Sequence, residues 1–189
     1  MGVDGQPARR AADRHVREGF ARLAPLGLSF DAWMYHMQLG EFVDLARASP
    51  ETPIVLDHVG GAIGLGRYAG QRDEVFAEWS GRIGELAYCP NVHIKLGGLG
   101  MRMFGFDLHT RELPPSWEEL AAAWRPYIES CIAAFGPERA MFESNFPVDK
   151  GSCGYAALCN AFKHITAGCS AAEKAALFAG TATRFYRLE

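Results

Sequence analysis

The sequence predicts an α/β fold built on a parallel sheet, and three observations carry that expectation. Helical and strand-like segments alternate strictly along the chain, the pattern of βα units. The strand candidates are short and nearly continuous apolar runs, as in 53–58 (PIVLDH), the habit of strands buried on both faces. Polar residues gather where these runs end, and in parallel α/β folds ligands bind beyond the carboxyl ends of the strands.

The elements follow in order. Over 8–23, Ala12, Val16, Phe20 and Leu23 recur at helical spacing, and Pro25 and Gly27 close that helix. Residues 28–35 (LSFDAWMY) read as a strand and 41–48 as a short helix closed by Ser49 and Pro50. The 53–58 strand leads into a glycine-rich loop, 60–70. A helix over 73–87 then puts Val75, Trp79, Ile83 and Leu86 on one face. Residues 92–96 (VHIKL) form the next strand, and a long irregular stretch follows over 98–115; loops of that length are usually functional or mobile. Ser116 and Glu119 make a capping box at the start of a helix that bends or restarts at Pro126 and stops at Gly136 and Pro137. Residues 140–143 are the last strand. Helices over 155–166 and 171–186 close the chain, the second opened by another capping box, Ser170 and Glu173. No linker interrupts the series, so 1–189 is expected to form a single domain.

Composition narrows the function classes. With 49% hydrophobic and 22% charged residues the chain reads as globular. A net charge of -3 without any basic block argues against nucleic acid as a partner. Five cysteines, an odd number without a CxxC, argue against a disulfide framework or zinc knuckle and fit a reducing cytosol. Residues 1–10 lack the apolar core of a signal peptide, and no stretch approaches the roughly 18 apolar residues of a membrane helix. The expectation is a cytoplasmic protein acting on a small molecule.

Strand period gives directions at the four strand ends. Asp31, Trp33 and Tyr35 share a face of the first strand. His58 shares a face with Ile54 and Leu56, with Asp57 pointing the other way. His93 pairs in direction with Lys95, and Met141 with Glu143 and Asn145. If these sets face one interior, Asp31, His58, Lys95, Glu143 and Asn145 converge. Each has a structural alternative. His58 can be a hydrogen-bonded core histidine, Lys95 and Glu143 a buried ion pair, Asn145 a loop anchor, and Tyr35 and Trp33 packing residues. Asp149 and Lys150 read as exposed loop charges. The glycines of 60–70 precede no GK[ST] and make no phosphate cradle.

Five segments then carry a resemblance: LSFDAWMYHMQL, PIVLDHVGG, CPNVHIKLGGLGM, FGPERAMFESNFPVDK and LFAGTATRFYRL. Together they resemble the amidohydrolase-related family 2 hydrolases, a group that includes lactonases acting on pyrone dicarboxylate and sugar lactones. The resemblance runs over most of the chain. It implies the C-terminal part, strands 5–8, of a (β/α)8 TIM barrel of the amidohydrolase superfamily; a full barrel takes about 250 residues. It also implies that His58 matches the sixth-strand histidine, which binds metal in metal-dependent relatives and polarises substrate in metal-free ones. Asn145 matches an eighth-strand position usually held by an aspartate general base, and an amide cannot take that proton. The first-strand H-x-H motif does not occur in this sequence.

The expected activity is therefore hydrolysis of a small lactone or related carbonyl compound. The candidate catalytic residues are His58, Glu143 and Asn145, and the candidate substrate-binding residues are Tyr35, Gln38 and Lys95. The resemblance leaves the cofactor open: a divalent metal, zinc, is possible in a full-length family member and is not expected in this chain, since a catalytic zinc takes three protein ligands and only His58 is well placed. Two alternatives stand. One is a metal-dependent decarboxylase, with Arg102 as the candidate carboxylate-binding residue; the other is a non-catalytic fragment that associates with another chain. Lys95 and Glu143 are expected to pair. The inward side chains of four strands are expected to meet water unless a second copy or a complementary half-barrel covers them, leaving the isolated chain inactive.

Overall fold

The computed structural model describes residues 13–188. The signal-peptide reading of 1–10 and the start of the first helix lie outside them. Four parallel strands form one sheet in the order β1-β2-β3-β4. They are β1 (Phe30–Ala32), β2 (Ile54–Leu56), β3 (Val92–Leu96) and β4 (Ala140–Phe142). The rows align Asp31 with Val55, Val55 with His93, and Lys95 with Met141. Helix α1 (Arg14–Phe20) precedes the strands, and α2 (Leu39–Ala48), α3 (Arg72–Ala87), α4 (Trp117–Phe135) and α5 (Tyr155–Ile165) fall between and after them, giving the predicted alternation. No helix among the described residues is long and apolar enough to cross a membrane.

One sheet face belongs to the helices. Ile54, Leu56, Val92, Ile94, Leu96 and Ala140 are fully buried there in the main core, with Trp79 of α3 and Trp124 and Ile128 of α4. Phe142 stacks on Phe162 of α5 at 4.4 Å. The capping boxes form as predicted: Ser116 N–H donates to Glu119 at 2.8 Å and Ser170 N–H to Glu173 at 2.7 Å.

Three expectations are corrected. The first strand is three residues rather than eight. After Ala32 the chain turns, and the His36 N–H donates to the Gly61 carbonyl at 3.0 Å instead of extending the ladder. α4 does not restart at Pro126 but runs through it as one helix; Trp124, Tyr127, Ile128 and Cys131 on either side are buried, and that burial outweighs the missing hydrogen bond. The closing helix contains a π turn, Ala176–Gly180, between α6 (Ala171–Ala175) and α7 (Thr181–Tyr186).

α7 decides the fate of the other sheet face, which carries Asp31, Val55, His93, Lys95 and Met141. Phe185 packs there on Val55 and Met141, with Ala182 and Tyr186 beside it. Its ring lies 4.9 Å from that of His93. Val55 and Met141 are 0% and 2% exposed, so these inward side chains do not meet water. The chain covers that part of its inward face with its own last helix, a long-range packing choice that strand periodicity does not encode.

Candidate active site at the carboxyl ends of the strands

β1 and β3 carry Asp31 and Lys95 within their ladder rows, and β2 and β4 deliver Asp57, His58, Glu143 and Asn145 just beyond theirs. Strand parity makes Asp57, two residues after Val55, the inward residue of β2. Asp57 meets Lys95 Nζ at 2.8 Å, and the same Nζ reaches Asp31 Oδ2 at 2.8 Å. The Tyr186 hydroxyl of α7 donates to that Asp31 oxygen at 2.8 Å. Burial works against the Lys95 ammonium, but its bonds to Asp31, Asp57 and Tyr186 outweigh burial and hold it protonated. The predicted Lys95–Glu143 pair is thereby corrected. Lys95 is met by carboxylates from β1 and the end of β2, and Glu143 has another partner.

That partner is His58. Its Nδ1 lies 2.5 Å from Glu143 Oε1, and its backbone N–H donates to the same oxygen at 3.1 Å. Both side chains are 17% exposed. Parity did not bring His58 there. Four consecutive residues, His58, Val59, Gly60 and Gly61, have φ of 53, 47, 72 and 57°. The chain leaves β2 in a left-handed turn that swings His58 from the helix side to the strand ends. Such backbone is disfavoured for a β-branched residue and persists only where the surroundings over-determine it. Here Val59 is 0% exposed, and the buried Trp79 Nε1–H donates to its carbonyl at 2.7 Å. Gly98 leaves room for the result: a Cβ there would lie 2.7 Å from the His58 ring.

Trp79→Phe keeps the aromatic bulk but leaves the Val59 carbonyl buried and unpaired. It is expected to cost about 1–3 kcal/mol, read by urea denaturation, and to shift the His58 ring resonances. An unchanged His58 signal would show that the turn holds without this bond.

Asn145 also adopts a left-handed conformation, with φ of 51°. Its Nδ2–H donates to Asp149 Oδ1 at 2.8 Å, while Asp149 Oδ2 accepts the Gly100 N–H at 3.0 Å. Asp149 is therefore no exposed loop charge: it is 0% exposed and ties the loop after β3 to the loop after β4. Burial pushes its carboxyl up to about 6, against the pull of its bonds to Asn145 and Gly100. Its acidic type and its place four residues after Asn145 were the signals available in the sequence. Lys150 is exposed, as read.

The rim comes from the loop after β1. Trp33 packs edge-on to His58 at 4.6 Å and to Tyr35 at 5.7 Å. The Tyr35 N–H donates to Gln38 Oε1 at 3.1 Å, so that oxygen caps its own turn. Trp33 and Gln38 also line a cavity of about 600 Å³ between α1 and α2. On the opposite side Gly100, Arg102, His109 and Ser152 line a cavity of about 350 Å³. Asp57 and Asp149 both sense the charges of His58 and Glu143. The structure thus joins Asp31, His58, Lys95, Glu143 and Asn145 as expected, and adds Asp57 and Asp149.

A zinc centre does not fit these residues. Among the described residues no three His, Cys, Asp or Glu side chains are grouped to hold a metal ion.

Comparison with known proteins gives this geometry a context. The chain is 42% identical over 172 residues to uncharacterized protein y4mH of Sinorhizobium fredii, covering 91% of this chain and 51% of that protein. It is 30% identical over 182 residues to L-fucono-1,5-lactonase of Burkholderia multivorans, covering 93% of this chain and 57% of that enzyme. A crystal structure of an amidohydrolase from Burkholderia multivorans with bound zinc superposes with a TM-score of 0.79 at 26% identity, over 98% of this chain and 62% of that one. The chain spans about half the length of the curated relatives it matches. The four parallel strands and their helices match part of the amidohydrolase TIM barrel. Since the family model described as Amidohydrolase matches residues 1–188, this chain belongs to the amidohydrolase family.

Proposed function

We propose that the protein hydrolyses a small lactone, opening the ring to a hydroxy acid. The observation that carries this reading is the placement of the His58–Glu143 pair and Asn145 together at the carboxyl ends of the strands. The likeness to an L-fucono-1,5-lactonase supports the substrate class. In this reading His58 and Asn145 act at the ester carbonyl and the attacking water, and Glu143 acts through His58. In this reading the Tyr35 hydroxyl and the Gln38 amide N–H, beside Trp33, would meet substrate hydroxyls, the Gln38 oxygen being held by its own turn. Lys95 sits below as the cation of a carboxylate cluster, its charge felt by substrate rather than free to form a new pair. The partner is a small molecule, and a second copy or a complementary half-barrel would complete the wall of the site. The five free cysteines suit a cytoplasmic setting.

The test is a panel of five- and six-membered aldonolactones, followed by proton release and, for binding, by the His58 ring resonances. His58→Asn is run in parallel. With four strands carrying the described site, turnover in the isolated chain is expected to be low, and binding is the firmer readout. Hydrolysis above the His58→Asn rate, or saturable shifts of the His58 signals, supports the reading. A folded chain that neither turns over nor binds any lactone or its hydroxy acid overturns it.

A further inference from the structure

We propose that His58 and Glu143 form a general-base dyad, in which Nε2 of His58 takes the proton of the attacking water. The inference rests on the lactone reading and specifies which atom does the proton work. It starts from the orientation of the imidazole. Glu143 Oε1 accepts the backbone N–H of His58 at 3.1 Å and faces Nδ1 at 2.5 Å. An ionised carboxylate only accepts hydrogen bonds, so Nδ1 must carry the proton. A neutral imidazole protonated at Nδ1 has its lone pair on Nε2. Among the described residues no hydrogen bond to that nitrogen is formed, and the His58 side chain is 17% exposed, so water can reach the ring.

Three features hold the ring in this state. The left-handed turn from His58 to Gly61 fixes its backbone, and Trp33 closes one side edge-on at 4.6 Å. The glycine at 98 lets the ring approach the loop after β3. An imidazolium at His58 would stand against Glu143 and within electrostatic reach of Asp57 and Asp149. Asn145 has a complementary part. With Nδ2 committed to Asp149, its Oδ1 remains as an acceptor, able to orient the water through its second hydrogen but not to remove a proton.

The step balances without any co-reactant. Water oxygen attacks the lactone carbonyl carbon, the carbonyl π pair moves to its oxygen, and one water proton passes to Nε2. The tetrahedral intermediate re-forms the C=O bond, and the ring C–O bond breaks. The departing alkoxide oxygen takes the proton from Nε2, giving the hydroxy acid. Glu143 takes no proton from the water in this step and acts as a positioning residue.

The test separates this idea from the lactone reading, because its first readout needs no turnover. Long-range ¹H–¹⁵N spectra of the protein report which His58 nitrogen is protonated. An Nδ1–H tautomer is expected, and Glu143→Gln, which can donate to Nδ1 through its amide, is expected to shift the population toward Nε2–H. An Nε2–H tautomer in the unmodified protein overturns the dyad even if lactones are hydrolysed. An Nδ1–H tautomer in a protein that binds no lactone supports the dyad and removes the lactone. Where turnover is measurable, Glu143→Gln should lower kcat by about 10²–10⁴-fold with KM little changed, and Glu143→Asp should recover part of it. A Glu143→Gln enzyme with undiminished kcat would overturn the assignment.

Discussion

Lys95→Ala is expected to destabilise the protein by about 3–5 kcal/mol at pH 8, because it leaves a buried carboxylate without its cation. Asp57 is 14% exposed and lies 2.8 Å from the ammonium. Asp31, at 40% exposed, keeps part of its hydration and contributes less. Even with Lys95 present, burial holds the Asp57 carboxyl above the ordinary carboxylate range. The sign of the pH dependence follows. A carboxyl raised in the folded state stabilises the fold fully below its unfolded value of 3.8, and that contribution is lost as pH rises through its folded value. The deficit of Lys95→Ala should therefore be largest at neutral and alkaline pH, and should shrink as Asp57 becomes protonated. Lys95→Met, which keeps most of the aliphatic stem and removes only the ammonium that lies over the Tyr186 ring, should behave almost as badly if charge is the cause. Denaturant titrations of both variants from pH 4 to 8 check this. A cost under about 1 kcal/mol, typical of exposed ion pairs, would show that water already solvates the cluster.

Phe185→Ala is expected to cost about 3–5 kcal/mol as well, through the cavity left between α7 and the inward face of the sheet. Phe185 is 9% exposed and covers Val55 and Met141, which have no other buried neighbours in their cluster. The variant also tests how the face is sealed. Burial, with the charges of Arg139 and Arg184, lowers His93 to about 4 beneath the Phe185 ring. A histidine depressed in the folded state lends stability above its unfolded value of 6.5, lost as pH falls through about 4. The parent protein should lose stability across that window, and Phe185→Ala, with water admitted to His93, should lose less of it. A small stability change and an unaltered His93 titration would mean that α7 is not what keeps Val55 and Met141 dry.

These two results bear on the same feature of the fold. Reading 171–186 as a helix was sound, but nothing in its period says that its last turn packs on the inward side of the sheet. For Val55 and Met141 that choice removes the argument that inward side chains must be covered by another chain, while Asp31 stays 40% exposed. The ends of the sheet lie at β1 and β4.

The sequence by itself determined the alternation of helices and strands, the apolar strand bodies, both capping boxes, and the gathering of polar residues at the strand ends. Each of these depends on residues close in the chain, whose spacing is legible without a fold. It also singled out His58, Glu143 and Asn145 at the strand ends, though for His58 strand parity gives the wrong direction. Only the tertiary structure decided who pairs with whom. Parity assigns a direction while φ stays extended; His58, Val59 and Asn145 have positive φ without being glycine, so the rule expired one residue before it was applied. Lys95 went to Asp31 and Asp57 because they share its inward face. Asp149 left the surface because an amide at Gly100, 49 residues away, and Asn145 together satisfy a carboxyl that neither could bury alone. Burial and pairing of charge depend on groups that meet only when the chain has folded, and local pattern carries no record of them.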